Sequence, residues 1–268
     1  MQLSELLMRY AQQSGEMPVV GMRATLQESR SELASHSHTR GQLMLIIRGN
    51  VIGYAKQAMW VLAPGQALWI PPLVPHRIRA SAHSQICYVF VNDALSMLPS
   101  QCALLNIRPL TRELMLDMAE LPVHYDLDSP QARKAQVLLE ELAVTPISRG
   151  EIPVSADWRI QKLANALQHP DQLRVPLKDW STQLALSERS LARLVKQETG
   201  LTFGLWRQRF QLVQALPLLA SGKSVHYTAQ SIGYQSVNAF ITMFKKALGL
   251  TPAQYQRRLW LPPNPDPL

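Results

Sequence analysis

Apolar positions in the last third of the chain recur at helical spacing, and they do so twice. Phe240, Met243, Phe244 and Ala247 fall at i, i+3, i+4 and i+7, and Leu191, Leu194 and Val195 repeat the first three of those steps. That spacing lines one face of a helix. Both stripes belong to a fourteen-residue pattern that runs from Ser187 to Gly200 and again from Ser236 to Gly249, an offset of 49 (236 − 187). Each copy opens on a serine placed to accept a bond from a free backbone N–H of the first turn. Each closes on a glycine suited to a left-handed C-terminal cap. The chain then continues Leu-Thr and, four residues further, reaches Trp206 or Tyr255. Shorter helical stretches, Leu177–Leu184 and Val225–Ile232, precede the serines, with Gly233 in the second intervening turn. Two copies are too few for a solenoid. Helix, short turn, helix is instead the helix-turn-helix unit, whose second helix enters the DNA major groove.

The first third alternates differently. Leu43–Ile47 and Val51–Tyr54 flank the turn signal Arg48-Gly49-Asn50, Met59–Leu62 and Ala67–Ile70 flank Pro64-Gly65, and Ile86–Val91 is a further apolar strand. Many short strands punctuated by Gly and Pro, from about Val19 to Val91, predict a small antiparallel barrel or jelly roll. Helical periodicity returns over Pro109–Glu120, with a stripe of Leu110, Leu114, Met118 and Leu121, and over Pro130–Val144, with Ala135, Leu138, Leu139 and Leu142. Thr145–Ser155, containing Pro146, Gly150 and Pro153, reads as a linker. Behind Asp157, Ile160, Leu163, Ala164 and Leu167 begin the helical module. The predicted class is therefore α+β: an N-terminal antiparallel β-barrel with helices, then an all-α double helix-turn-helix domain.

Composition and charge sharpen this division. A chain of 268 residues fits two domains, and none of its apolar runs reaches the roughly eighteen residues that a membrane helix needs. The start lacks a secretory signal's apolar core, and Cys87 and Cys102 form no Cys-x-x-Cys pair; a soluble cytoplasmic protein with two buried thiols and no membrane partner is expected. From Trp158 to Trp260 there are 14 Lys and Arg against 4 Asp and Glu, a net of +10, whereas the whole chain is +8 and the remainder therefore −2. A basic excess confined to one module is the footprint of a polyanion partner. The polar face of the first repeated helix offers Glu188, Arg189, Arg193 and Lys196, and that of the second offers Asn238, Thr242, Lys245 and Lys246. Arg reads guanine bidentately and Asn reads adenine, while Lys holds phosphate. One such helix alone reads better as a solvated charged face; two with matched caps, stripes and glycines do not.

The residues also resemble a known family. Ser187-Glu-Arg-Ser-Leu-Ala-Arg-Leu-Val-Lys, Gly200-Leu-Thr-Phe, Ile232-Gly-Tyr-Gln-Ser-Val-Asn-Ala-Phe and Phe244-Lys-Lys-Ala-Leu-Gly-Leu-Thr-Pro-Ala-Gln-Tyr255 are similar to the AraC/XylS transcriptional regulators over about Ala156 to Arg258. The resemblance implies seven helices with two helix-turn-helix units joined by one long helix, here about Phe203 to Ala220, in which Pro217 is expected to kink or shorten the end. It places base reading on Arg189, Ala192 and Arg193 and on Val237, Asn238, Ile241 and Thr242, with Ser187, Lys196, Ser236, Lys245 and Lys246 completing the DNA-facing set. Val237 and Ile241 are apolar, so the second unit is expected to give less direct readout. The two second helices would enter successive major-groove segments on one face of double-stranded DNA, about 34 Å apart. The implied organisation is a cupin-like sensor over residues 1–105, a helical dimerisation region over 106–145, a linker over 146–155 and the DNA-binding domain over 156–260. A homodimer, a small-molecule effector and, for an activator, RNA polymerase are the implied partners.

His36-Ser-His38, Gln42 and Pro75-His76 are similar to the cupin motifs, in which histidines and a glutamate converge on a metal. The glutamate is replaced by Gln42 here, which removes an anionic ligand. Alternation along a strand puts His36 and His38 on one face. Three readings stay open for His36, His38, Gln42 and His76: a pocket for a small effector, a divalent metal held by the three histidines, or structural histidines near the barrel mouth. Trp60 and Trp69 are candidates to wall such a cavity, or plain core. Arg40, Arg77 and Arg79 suggest an anionic or hydrogen-bonding effector, and solvated strand ends explain them equally. A metal-dependent cupin enzyme would use the histidines alone and leave the repeat and the basic module unexplained, so no enzyme is expected.

Overall fold

The computed structural model describes residues 3–260 except 14, 16, 27–30, 50, 56–57, 63, 81–82, 93–97 and 149–150. Asn50 of the expected hairpin turn, and Arg149 and Gly150 of the expected linker, lie outside the described residues. The chain forms two units: residues 1–56 with 62–150, and residues 57–61 with 151–268.

The first unit is built from short antiparallel strands. β1 (Val19–Leu26), β8 (Ser84–Val91), β3 (Gly41–Arg48), β6 (Gln66–Ile70), β9 (Ala103–Asn106) and β10 (Ile147–Ser148) lie in that order in one sheet. β4 (Val51–Ala55), β7 (His76–Ala80) and β2 (Ser31–His36) follow one another in the second. The expected barrel or jelly roll is thus two facing sheets. The layers approach closely at Gly53, where an added Cβ would lie 2.6 Å from Leu68 Cδ2 on the opposite sheet. A helix not foreseen from the sequence, α1 (Leu3–Gln13), precedes β1 and buries Leu7 and Ala11, one turn apart.

The six-stranded sheet carries apolar residues on both faces. Its outer face, with Leu43, Leu45, Trp69, Cys87, Val89 and Leu105, packs against α2 (Pro109–Met118) and α3 (Pro130–Ala143). Trp69 is therefore core beneath the helices rather than a cavity wall, and its indole N–H donates to the carbonyl of Pro99 at 2.7 Å. α3 buries Ala135, Leu138, Leu139 and Leu142, as the periodicity predicts. Of the stripe expected in α2, Met118 is buried and Leu114 and Leu121 pack half-buried against the same core, joined by Thr111, Met115 and Leu116, whereas Leu110 is 56 % exposed. Antiparallel α3 lies beside α2, with ion pairs of Arg108 with Glu141 and of Lys134 with Asp117. Cys87 is buried, and desolvation pushes its thiol up to about 12. Cys102 is only half-buried.

The expected linker carries structure. Ile147 and Ser148 pair with Leu105 and Leu104, and β11 (Glu151–Pro153) pairs antiparallel with β5 (Ala58–Leu62). Ile152 is fully buried opposite Met59 in that pair. The carbonyl of Pro153 accepts from the indole N–H of Trp206 at 3.0 Å. The second unit therefore begins before Ala156 and takes a strand from early in the sequence, so a cut at residue 150 removes the partner of β11.

Seven α-helices follow among the described residues: α4 (Trp158–Ala166), α5 (Leu177–Gln183), α6 (Glu188–Thr199), α7 (Phe203–Ala220), α8 (Val225–Ser231), α9 (Val237–Leu248) and α10 (Pro252–Trp260). α7 is the axis of the unit and buries Phe203, Trp206, Phe210, Val213 and Leu216. It runs its full expected length through Pro217, which sits in the last turn where only one backbone bond is forgone. No helix among the described residues is long and apolar enough to cross a membrane.

Candidate nucleic-acid interface and histidine cluster

Each half of the repeat becomes a short helix, a turn and a capped second helix. Ser187 accepts from the backbone N–H of Ser190 at the start of α6, and Ser236 accepts from Ala239 at the start of α9. Gly200 and Gly249 end those helices in the left-handed region, at φ 71° and 76°. The N–H of each returns to Lys196 or Lys245. The apolar faces turn inward: Leu191 and Val195 in α6, and Phe240, Met243 and Phe244 in α9, are buried. Full burial of a side chain such as Phe240 or Phe244 stabilises by about 1.5–3 kcal/mol. Ala247, expected on that stripe, is exposed, because α9 rotates its bulky Phe and Met side chains toward the core and leaves the small residue outside.

The polar faces turn outward. Ser187, Arg189, Arg193 and Lys196 are exposed on α6, with Ala192 half-buried between them. On α9, Ser236, Asn238, Thr242, Lys245 and Lys246 are exposed, while Val237 and Ile241 are half-buried. Thr242 donates its hydroxyl to the carbonyl of Asn238 at 2.9 Å. All twelve positions fall on the two second helices or their caps.

Contacts that sequence reasoning missed hold the two helix-turn-helix halves in one frame. Gln211 of α7 donates to the carbonyl of Ile232, in the second turn, at 2.9 Å. Arg207 of α7 donates to Val175, just before α5, at 3.3 Å, and Arg174 donates to the carbonyl of Gln230 in α8. Gly233 sits at φ 90° against the Arg174 side chain. In the first turn the corresponding left-handed residue is Ala185, at φ 52°. An L-residue there is strained by about 1 kcal/mol or more. Aligning Ala185 with Gly233, rather than counting a strict 49, would have exposed this position.

The histidine cluster lies in the first unit. His36 ends β2 and is registered opposite His76, the first residue of β7. His38 follows in the connection to β3, and Gln42 is the second residue of β3. The ring centroids of His36 and His76 are 4.3 Å apart, and those of His38 and His76 are 5.1 Å apart. Phe90 meets His38 edge-on at 5.3 Å. The expected shared strand face for His36 and His38 is not what joins them, since the strand stops at His36; the link is the β2–β7 pairing.

Each imidazole is tied the same way. Nδ1 of His36, His38 and His76 faces the carbonyl oxygen of Ala34 at 2.9 Å, Arg40 at 2.6 Å and Val74 at 2.9 Å. A carbonyl only accepts, so each Nδ1 carries the proton and each Nε2 of a neutral ring presents a lone pair. His38 also meets Gln42 through Nε2 at 2.8 Å. Nε2 of His36 and of His76 is buried with no hydrogen-bond partner among the described residues. Desolvation lowers the His76 pKa to about 4 and also lowers that of His38, so both rings are neutral at pH 7. One ligand atom from each of the three histidines lies within 4.8 Å of the others. A zinc-like ion at about 2.0–2.1 Å from each nitrogen would bring them to roughly 3.4 Å, an approach of up to about 1.4 Å for the widest pair. Three neutral nitrogen donors with carbonyl-fixed tautomers fit a divalent transition ion.

Two further features surround the cluster. The N–H of Leu73, an exposed residue at φ 60°, donates to the carbonyl of His38 at 2.8 Å and pins the loop before His76. Tyr88, two residues before Phe90 on the same strand face, is fully buried with its hydroxyl unpaired among the described residues, and burial pushes its pKa up. Of the arginines, Arg77 stacks over Tyr54 at 3.8 Å and alternates away from His76, as does Arg79. Arg40 is buried and donates to the carbonyls of Gly15 and Met17.

Residues 18–143 match the model of the AraC-like ligand binding domain, and residues 180–258 match that of a helix-turn-helix domain. The chain is 38 % identical over 224 residues to the HTH-type transcriptional regulator NimR of Escherichia coli K12, covering 84 % of this chain and 82 % of that protein. It is 22 % identical over 240 residues to the HTH-type transcriptional activator RhaR of Mannheimia succiniciproducens, covering 83 % of this chain and 87 % of that one. Among solved structures it is similar to fatty-acid-bound ToxT from Vibrio cholerae, at 12 % identity and a TM-score of 0.38, over 90 % of this chain and 96 % of that one. The capped helix pairs and the two matched domain models, carried by a relative of this identity, make the chain a member of the AraC/XylS family of transcriptional regulators, with a ligand-binding domain followed by a helix-turn-helix DNA-binding domain.

Proposed function

We propose that the chain reads DNA mainly through α6, with Arg189 and Arg193 on base edges, and anchors through α9, with Lys245 and Lys246 on phosphates and Asn238 and Thr242 on bases. Val237 and Ile241 would touch thymine methyls. The observation that carries this reading is the outward polar face on two helices whose caps and cores match. Ser187, Ala192, Lys196 and Ser236 complete the surface. The test is retention of DNA fragments that the full chain itself selects from a random pool. Wild type is expected to enrich one sequence; an Arg193→Ala/Asn238→Ala chain that enriches the same sequence with equal strength would remove both helices from readout.

The effector is proposed to enter the first unit at His36, His38, Gln42 and His76, where unpaired buried nitrogens and the Tyr88 hydroxyl await polar partners. A buried donor or acceptor left unmade costs about 1–3 kcal/mol, which a ligand's polar groups can recover. The effector changes DNA binding only by a difference in its affinity for two states of the chain. The exposed Leu110 and Val137 on α2 and α3 support dimerisation through residues 106–145. A cytoplasmic homodimer acting on promoter DNA, and on RNA polymerase where it activates, is the corresponding cellular reading.

A further inference from the structure

The internal repeat marks a position on α6 that the resemblance leaves out. An offset of 49 carries Asn238, Ile241 and Thr242 of α9 onto Arg189, Ala192 and Arg193 of α6, and it carries Val237 onto Glu188 (237 − 188). Val237 and Glu188 are the first residues of their helices, each directly behind its capping serine. The N-terminal residues of a recognition helix are the ones that reach base edges. Glu188 is exposed, as are Arg189 and Arg193 on the same polar face. Its neighbours three and four residues on are Leu191 and Ala192, so α6 offers it no cation across one turn. The half-buried methyl of Ala192 is too short to cover the carboxylate. An acid in the first turn favours the helix dipole, and a purely stabilising role would end there. The surroundings point further. The module has 14 Lys and Arg against 4 Asp and Glu, and one of the four stands beside the arginines of α6. A carboxylate on that face is repelled by phosphate and by the O6 and N7 acceptors of guanine.

We propose that Glu188 is a specificity-determining residue of the first unit, whose carboxylate accepts from the N4 amine of a cytosine and rejects other bases at that position. This rests on the reading of α6 as a base-reading helix. A carboxylate accepts and never donates. Cytosine presents a donor and no acceptor in the major groove, whereas adenine sets an N7 acceptor beside its N6 donor. Thymine and guanine present acceptors alone. At the matching position of the second unit, Val237 is the group proposed above to touch a thymine methyl. The two units therefore separate the pyrimidines at equivalent positions by opposite chemistry: a carboxylate for the amine, an alkyl group for the methyl. Away from its cytosine Glu188 only repels the phosphates, so it also lowers affinity for every other sequence.

The test measures binding of the full-length chain to the fragment it selects from a random pool, with every base pair of that fragment varied in turn. Wild type is expected to require C·G at one pair and to lose about tenfold or more in affinity when that pair becomes T·A. Glu188→Ala should discriminate there by no more than about twofold and keep its preferences at the other pairs. It should also bind unselected DNA about two- to threefold more tightly at low salt. Glu188→Val, which installs the residue of the second unit, should prefer T·A to C·G at the same pair. Each variant exchanges an exposed side chain, and near-ultraviolet circular dichroism verifies its fold. Unchanged preference at every pair in Glu188→Ala overturns the proposal, even if the melting temperature falls, because a helix-dipole role moves stability alone. Persisting C·G preference in Glu188→Val overturns it equally. Arg193→Ala, measured alongside, separates this failure from failure of the underlying reading. A preference shifted in Arg193→Ala but in neither Glu188 variant sinks only the assignment of Glu188; no shift in any of the three sinks base reading by α6.

Discussion

The two helix-turn-helix units share a scaffold and differ on the surface they offer. Both second helices start on a serine cap, bury an apolar stripe and end on a left-handed glycine. α6 exposes two arginines and a lysine, with one small residue between them; α9 sets Val237 and Ile241 half-buried among its polar groups. The turns differ too, with Ala185 where the second copy has Gly233, and one residue fewer before the capping serine. What repeats is what the core and the caps demand. What diverges faces solvent, where only a partner can set the choice of side chain. We read the first unit as the stronger reader of sequence and the second as the stronger anchor.

The largest effect tests the shared scaffold. Phe240→Ala removes a fully buried ring that packs on both Tyr234 and Phe244, and should destabilise the chain by about 3–5 kcal/mol in denaturant unfolding. A loss under about 1 kcal/mol would mean α9 is not docked as described. Next comes the asymmetry of readout. Arg193→Ala should cost about 1–3 kcal/mol on the selected sequence and broaden preference at one position, whereas Val237→Ala should cost less. Equal losses would erase the proposed division between the units. Lys245→Ala should weaken all sequences alike and lower the salt slope by about one unit. A sequence-dependent loss would instead place Lys245 on a base. The smallest effect lies in the turns. Ala185 is exposed at φ 52°, so Ala185→Gly should stabilise by about 0.5–1 kcal/mol, and Gly233→Ala should do the reverse by about 1–2 kcal/mol. A lower melting temperature for Ala185→Gly would show that the methyl group packs.

Much of this was legible in the sequence because the repeat compares the chain with itself. The caps, the glycines and the buried stripe of α3 follow from spacing and residue type, and α7 follows from the family resemblance. The parts that were not legible depend on partners remote in sequence. Leu110, in the first turn of α2, is exposed although Leu114, Met118 and Leu121 of its stripe pack on the core, and residues 151–153 become a strand because β5 lies beside them. Local pattern marks those segments as an apolar stripe and a proline-containing linker. The histidine triplet was visible as residues, but its tautomers were not. They depend on the carbonyls of Ala34, Arg40 and Val74, which sequence does not place. Ala185 went unseen because alanine by itself carries no signal of a left-handed backbone, and only its alignment with Gly233 points to it.

The central claim is that both units of one chain insert their second helices into DNA. Methylation-protection footprinting of the full chain on its self-selected fragment measures this most directly. Two protected major-groove segments about one helical turn apart on one DNA face are predicted, with protection of the first lost in Arg193→Ala and the second kept. A single protected segment, or protection confined to the minor groove, would contradict the account.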